Sequence, residues 1–184
     1  MNFCSNCGSR VAHRIPPGDH RLRFVCDSCG VIHYENPHVV VGCVPEFEGK
    51  ILICKRAIEP RLGFWTVPAG FMENGETLQQ GAARECQEEA LADVEIGSLL
   101  TVVSVVGARQ VHVFFRAKLR SPGFGAGEES LESILVAPEE IPWADIAFQS
   151  TVFTLERYLE DKAAGREEHH FVTLDARPPG SGRA

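Results

Sequence analysis

The sequence predicts an α+β fold, a mixed sheet flanked by helices, preceded by a small cysteine-rich module. Three observations carry that expectation. Two C-x-x-C pairs, CSNC at 4–7 and CDSC at 26–29, fall within the first 33 residues. From Tyr34 onward, β-branched and aliphatic runs are separated by Gly- and Pro-bearing turns. Strand-like and helix-like segments then follow one another irregularly, with hairpin-like neighbours, which disfavours a doubly wound parallel sheet. With 184 residues, 44% of them hydrophobic, the chain has material for one ordinary domain and an appendage, and is too apolar for disorder. The expected division is a cysteine module over 1–33, a main domain over 34–175 and a disordered tail over 176–184.

Each element has a local reason. In the first module RLRFV supplies a short strand after the PPGD turn. NPHVVVGCVPEF and GKILICKR read as two strands around the EFEGK turn. EPRLGFWTVPAGFMENGE, punctuated by Gly and Pro, is loop with short strand. TLQQGAARECQEEALAD is the best helix in the chain. Thr77 and Gln80 form a capping box, and Leu78, Ala82, Cys86 and Ala90 recur at spacing four as an apolar stripe. Gly81 in its interior costs about 1 kcal/mol relative to Ala. VEIGSLLTVVSVVG and QVHVFFRAKLR are further strands, SPGFGAGEES a glycine-rich loop, LESILVA the last strand and TVFTLERYLEDKAA a second amphipathic helix. His169 and His170, in a charged stretch, read as solvated, and Cys43, Cys54 and Cys86 as core thiols.

Charge and hydropathy exclude several classes. The formal net charge of -7 disfavours nonspecific binding along nucleic acid but allows a small anionic substrate. Arg10, Arg14, Arg21 and Arg23 make the first module locally basic against Asp19 and Asp27. No apolar run reaches the roughly 18 residues of a membrane span, so no membrane partner is expected. The N-terminus lacks a basic start followed by an apolar block, which makes the reducing cytoplasm the expected compartment.

RECQEEALA, residues 84–92, concentrates the chemistry. Glu85, Glu88 and Glu89 fall within an arc of about 100° on the helix, although like charges at such spacings repel. Arg84 lies on the rim of that arc. Glu89 falls between Leu78 and Ala82 at the edge of the apolar stripe, where a carboxylate needs a partner or a shifted pKa. A hard divalent cation such as Mg²⁺ or Mn²⁺ would satisfy it. Upstream, Gly70 opens GFMENGE and Glu76 precedes the helix.

The arrangement Gly70, Glu76, Arg84-Glu85, Glu88-Glu89 resembles the Nudix box: Gly, five residues, Glu, seven residues, Arg-Glu, an aliphatic, any residue, Glu-Glu, any residue, Gly, an aliphatic. Cys86 stands for the aliphatic and Leu91 for the glycine, a change expected to extend the helix or alter its exit. The resemblance implies a Nudix α/β/α sandwich around a mixed sheet. It also implies metal-dependent hydrolysis of the pyrophosphate bond in a nucleoside diphosphate derivative, since metal ions both neutralise the diphosphate and acidify water. On that reading Glu85, Glu88, Glu89 and the Gly70 carbonyl are metal ligands, and Arg84 orients a carboxylate. For Glu76 the resemblance implies a structural or a water-mediated role. The general base is a helix glutamate or one of Glu128, Glu129 and Glu132 in GEESLE, with Glu129 the foremost of these. Arg56 would contact a substrate phosphate, with a surface arginine the rival reading. Phe64 and Trp65 would stack on a base or flavin ring, with core packing the rival.

Cys4, Cys7, Cys26 and Cys29 have the spacing of a four-cysteine Zn²⁺ site; a redox dithiol is the rival, without the strand–helix context it needs. A zinc ribbon ahead of a Nudix domain is a pairing found in NADH pyrophosphatases and in a group resembling the plant-type FAD and ADP-ribose pyrophosphatases. FCSNCG, CDSCGVIHYENP and CKRAIEPRLGFWTVPAGFMENGET together look most like the second group, over about residues 2–160. FAD or ADP-ribose is therefore the implied dinucleotide-type substrate, giving AMP and a phosphorylated partner. NADH or NAD-capped RNA is an alternative. The SLLTVVSVVGARQ run lacks the Ser-Gln-Pro-Trp-Pro-Phe of NADH pyrophosphatases, and no proline lies between Ala92 and Arg120 as ADP-ribose enzymes often have. A non-catalytic nucleotide-binding regulator is the alternative from another class. The ribbon is expected to be structural or dimer-forming, which leaves a homodimer open, rather than a reader of nucleic acid.

Overall fold

A computed structural model describes residues 1–174; the expected tail lies outside the described residues. The chain divides into two compact units, Met1–Asn36 and Pro37–Ala184.

The first unit is a three-stranded antiparallel sheet of β1 (Val11–Arg14), β2 (Arg23–Cys26) and β3 (Ile32–His33), in that order. Each C-x-x-C-G segment is a tight turn. The Gly8 N–H bonds the Cys4 carbonyl and the Gly30 N–H the Cys26 carbonyl, both at 2.9 Å. Both glycines sit at φ +74, in the left-handed region that side chains disfavour.

The second unit contains β4 (His38–Phe47), β5 (Lys50–Arg56), β6 (Trp65–Thr66), β7 (Ala69–Phe71), α1 (Leu78–Ala90), β8 (Val94–Val105), β9 (Gln110–Leu119), β10 (Ser130–Val136), α2 (Gln149–Ala164) and β11 (His170–Leu174). The sheet runs β10-β5-β4-β9-β8-β11, with β6 on β5 and β7 on β4. β4 with β9 and β8 with β11 are parallel and the other pairs antiparallel, so the sheet is mixed as expected.

Alternation along the strands assigns the two faces. Val41, Cys43, Leu52, Cys54, Val113, Phe115 and Ala117 join Ala82, Cys86 and Ala90 of α1 in one core. Val44, Ile51, Ile53 and Phe114 join Leu155 and Tyr158 of α2 in the other. The helices thus cover opposite faces, which is the α/β/α sandwich. The predicted core thiols Cys43, Cys54 and Cys86 are all buried in the α1 core. Burial pushes the Cys54 thiol up to about 12, which leaves it inert.

Three local expectations need correction. LESILVA is not the last strand, because β11 adds to the edge of the sheet parallel to β8, with His170 opposite Thr101. His170 is accordingly not solvated: its Nε2 lies 3.0 Å from the buried Asp161 carboxylate. Neighbouring His169 is exposed, its Nδ1 2.7 Å from the Leu99 carbonyl. Leu91 does not extend α1. It adopts the left-handed conformation itself, φ 48 and ψ 33, and its N–H bonds the Gln87 carbonyl at 3.0 Å. A side chain therefore performs the glycine's capping role at a steric cost of about 1–2 kcal/mol.

Asp161 of α2 is only 1% exposed, and it accepts from Arg116, from His170, from the Glu168 N–H at 3.1 Å and from Arg166 at 3.3 Å. Burial by itself would raise its pKa; these donors outweigh burial and hold it at about 2, below the ordinary 3.8. A depressed carboxylate adds stability that is present above its unfolded pKa and lost as pH falls through the folded one. Asp161→Asn should destabilise the fold by about 3 kcal/mol, the cost of leaving a buried guanidinium without its counter-charge. Urea titrations should also show the variant losing less of its remaining stability than wild type between about pH 4 and pH 2.

Candidate active site

α1 begins as its sequence dictates. The Thr77 hydroxyl accepts the Gln80 N–H at 3.2 Å and the Gln80 side chain accepts the Thr77 N–H at 2.8 Å, the expected capping box. Fixing the first turn fixes the phase of the carboxylates along the helix. Ala82, Cys86 and Ala90 face the core, and Glu85 and Glu89 emerge at its margin, both buried, while Glu88 is exposed.

Arg84 gathers the carboxylates. Its Nη1 donates to Glu85 at 2.7 Å and to Glu88 at 2.8 Å. Its Nε and Nη2 bind the two oxygens of Glu76 at 3.0 and 2.9 Å, and Nη2 also reaches the Phe71 carbonyl at 3.0 Å. Glu76 additionally accepts the Glu73 N–H at 2.7 Å, and the Arg84 bonds with this one hold it down to about 2. Glu76 thus ties the loop before α1 to Arg84, a structural role. The i,i+4 pairing of Arg84 with Glu88 is present as the spacing implied.

Glu89 is 5% exposed and has one hydrogen bond among the described residues, from the Ala69 N–H at 3.0 Å. Burial pushes its carboxyl up to about 7, and the nearby charges of Glu85 and Glu129 add to the effect, against the Ala69 bond and Arg56. Glu85 is raised as well, chiefly by burial, with Arg84 opposing. Gly70 lies directly over this group. A Cβ there would stand 2.4 Å from the carboxyl carbon and both oxygens of Glu85, so only glycine brings the β7 backbone against the cluster. The set is oxygen-rich, half desolvated and short of cations, which fits a hard divalent metal ion.

Two residues from outside the helix join the cluster. Arg56, at the end of β5, is 9% exposed and is not the surface arginine of the rival reading. Its Nε donates to the Pro60 carbonyl at 2.9 Å and its guanidinium lies 5.1 Å from the Phe148 ring centroid. Among the described residues its two terminal nitrogens make no hydrogen bond or ion pair. Glu129 is exposed, precedes β10 and lies close enough to raise both Glu85 and Glu89. Glu128 is exposed, and Glu132 stands opposite Lys55 in the β10–β5 pairing. Trp65 is half-buried against the α2-side core with Lys55 over its ring, and Phe64 is half-buried with Arg61 over its ring. For Trp65 the packing reading describes what the ring touches. Phe148 was missed from the sequence; its only signal was an aromatic immediately before a helix.

In the first unit, the Cys4, Cys7, Cys26 and Cys29 sulfur atoms lie within 4.8 Å of one another, with Cys4–Cys29 at 3.6 Å and Cys7–Cys26 at 3.5 Å. Ser9 bonds, first its backbone N–H, pull Cys7 down to about 6, favouring the thiolate a metal requires. His33 Nε2 stands 3.3 Å from the Cys4 sulfur, a contact the sequence spacing did not suggest.

A sandwiched mixed sheet whose one helix presents an arginine-braced carboxylate cluster defines a Nudix hydrolase domain, and the chain belongs to that family. The NUDIX domain matches residues 36–171, and the Nudix N-terminal zinc ribbon matches residues 2–35. The structure is similar to that of a NUDIX hydrolase from Nitrosomonas europaea, with TM-score 0.92 and 53% identity, covering 95% of this chain and 99% of that one. The NAD-capped RNA hydrolase NudC of Vibrio atlanticus is 34% identical over 96 residues, 51% of this chain and 33% of that protein. The ADP-ribose pyrophosphatase of Methanocaldococcus jannaschii is 39% identical over 71 residues, 39% of this chain and 42% of that protein. The matched regions thus span between a third and a half of these two curated relatives.

Arg84 is the brace that lets the helix carry its charges. Replacing it with alanine leaves Glu76, Glu85 and Glu88 without their shared donor and should lower stability by about 1.5–3 kcal/mol, the range for hydrogen bonds to charged groups. Urea denaturation at neutral pH without added divalent cation measures this, and an unchanged midpoint would mean that the brace is dispensable.

Proposed function

We propose that this protein hydrolyses the pyrophosphate bond of a nucleoside diphosphate derivative, FAD or ADP-ribose first among them, with Mg²⁺ or Mn²⁺, giving AMP and a phosphorylated partner. The observation that carries the reading is the carboxylate cluster of α1, with Gly70 against Glu85, the Ala69 N–H on Glu89, Arg84 bracing Glu85 and Glu88, and the charge of Glu129 felt by Glu85 and Glu89. Glu85, Glu88, Glu89 and the Gly70 carbonyl would hold the cation. When bound, a divalent cation neutralises diphosphate oxygens and acidifies water. Arg84 fixes Glu85 and Glu88. Arg56, whose terminal nitrogens make no hydrogen bond among the described residues, lies near the cluster and would take diphosphate oxygens bidentately. Glu129 and Glu88 are the candidates to hold the proton released as water adds to phosphorus. Phe64 is the aromatic for the base or flavin ring.

A second reading, cleavage of NADH or of an NAD-capped RNA end, is favoured by the similarity to the Vibrio atlanticus hydrolase over 96 residues. We further propose that the four cysteines bind Zn²⁺ as a structural centre.

Two experiments test these readings. FAD, ADP-ribose, NADH, NAD⁺ and a capped RNA are offered with Mg²⁺ or Mn²⁺ to wild type and to Glu88→Gln. One dinucleotide should be split to AMP, and the variant should lose at least about 100-fold in kcat. No turnover with either metal would remove the hydrolase reading. Separately, chelation of zinc should release amide-exchange protection across residues 3–33 while leaving β4–β11 protected; protection retained in the metal-free protein would count against a structural zinc.

A further inference from the structure

The glycine-rich segment after β9 has work that a solvated loop would not. The last carbonyls of a helix lack intrahelical partners, and here the loop supplies two of them. The Gly125 N–H bonds the Ala90 carbonyl at 2.8 Å and the Gly127 N–H bonds the Glu89 carbonyl at 3.0 Å. Gly127 approaches so closely that a Cβ on it would lie 1.6 Å from the Glu88 carbonyl oxygen and 2.8 Å from its carbon. These atoms are backbone and cannot swing aside. A Cβ on Gly125 would stand 3.5 Å from Leu91 Cδ1, so the leucine that caps α1 also lies over the loop. Phe124 packs against the α1-side core.

The chain then turns, with the Ser130 N–H on the Gly127 carbonyl at 3.1 Å, and enters β10 opposite Arg56. Within that turn the Glu129 carbonyl accepts the Ala57 N–H at 2.8 Å. Glu129 is therefore held between two anchors, the C-terminal end of α1 on one side and the end of β5 on the other.

Resting on the hydrolase reading above, we infer that Gly127 is a positioning residue whose docking on the end of α1 places Glu129 among the carboxylates of that helix, with Leu91 as the clasp over Gly125. The same helix then supplies its own carboxylates from its side and fixes the additional one through its terminal carbonyls. Any side chain at position 127 lifts the loop and withdraws Glu129. Leu91 thereby acquires a role that glycine at that position lacks, since glycine would cap the helix without covering the loop.

A double-mutant cycle on the full chain tests this, using Gly127→Ala, Glu129→Gln and their combination. Each single variant should lose about 100-fold in kcat, within the range of a general acid–base group, and the double variant should be no worse than Glu129→Gln. Gly127→Ala at wild-type kcat, or a loss that multiplies with that of Glu129→Gln, overturns the inference. Titration with Mn²⁺ alone, read by electron paramagnetic resonance, separates this inference from the hydrolase reading. If wild type cleaves none of the offered dinucleotides, the reading fails while the inference still requires both variants to weaken one Mn²⁺ site equally and non-additively; additive or absent weakening then overturns it. Should Gly127→Ala not melt cooperatively, Leu91→Gly takes its place in both assays. Its loss should be smaller, about tenfold, and should vanish in the Glu129→Gln background; a loss that persists there overturns the inference.

Discussion

The constraint on which the rest of this domain depends is the placement of carboxylates at the margin of a core. α1 is amphipathic in the ordinary sense, yet Glu85 and Glu89 occupy the boundary that uncharged residues usually fill. Holding them there without metal requires donors, and the fold supplies a limited set: the Arg84 guanidinium, the Ala69 N–H and the nearby Arg56. Counted by charge, Glu76, Glu85, Glu88, Glu89 and Glu129 face two guanidinium groups. The excess is negative, and it adds to the burial that pushes Glu89 up to about 7. An oxygen-lined, underneutralised core margin of this kind is an attractive place for a divalent cation and an anionic substrate together.

The sheet is arranged around that requirement. β4 and β5 meet only at Glu46–Ile51 and Phe47–Lys50 before they separate. β6 and β7 enter the gap, and Gly42 permits it, since a Cβ there would meet the Pro68 carbonyl at 2.5 Å. The splayed hairpin is thus the route by which Ala69 and Gly70 reach the helix, one to donate an N–H and the other to let Glu85 approach. Strand propensity alone would favour a longer β4–β5 ladder; the inserted segment replaces those pairings with β4–β7 and β5–β6.

Much of this was legible in the sequence because it rests on short-range spacing. The capping box, the apolar stripe, the buried edge position of Glu89 and the Arg84–Glu88 pair follow from helical geometry, and the structure contains each. The clustering of Cys4, Cys7, Cys26 and Cys29 followed from two turns of known shape. What spacing could not show were contacts made by tertiary placement. β11 is a five-residue segment after α2 whose HFVTL run carries a weak strand signal beside the charged GREEH stretch; its pairing with the open edge of β8 and the contact of His170 with the Asp161 carboxylate are tertiary. Leu91 misled for a related reason, since propensity argues that leucine continues a helix, while the packing of the following loop decides where this one ends.

Asp161 and Glu89 together show how a buried carboxylate declares its role. Both belong to helices packed on the same sheet and both are almost fully enclosed. Asp161 is saturated by Arg116, Arg166, His170 and the Glu168 N–H, and it sits at about 2. Three donors crowd its Oδ2 and Arg166 occupies Oδ1, so its charge is already answered by the protein, even though its neighbours Glu168 and His170 have metal-binding side chains. Glu89 has one N–H and faces Glu85 and Glu129 instead of a ring of donors. The first arrangement locks β11 onto α2; the second leaves an acceptor in want of a cation. Burial is common to the two, so it is the supply of donors that separates the structural carboxylate from the one available for chemistry.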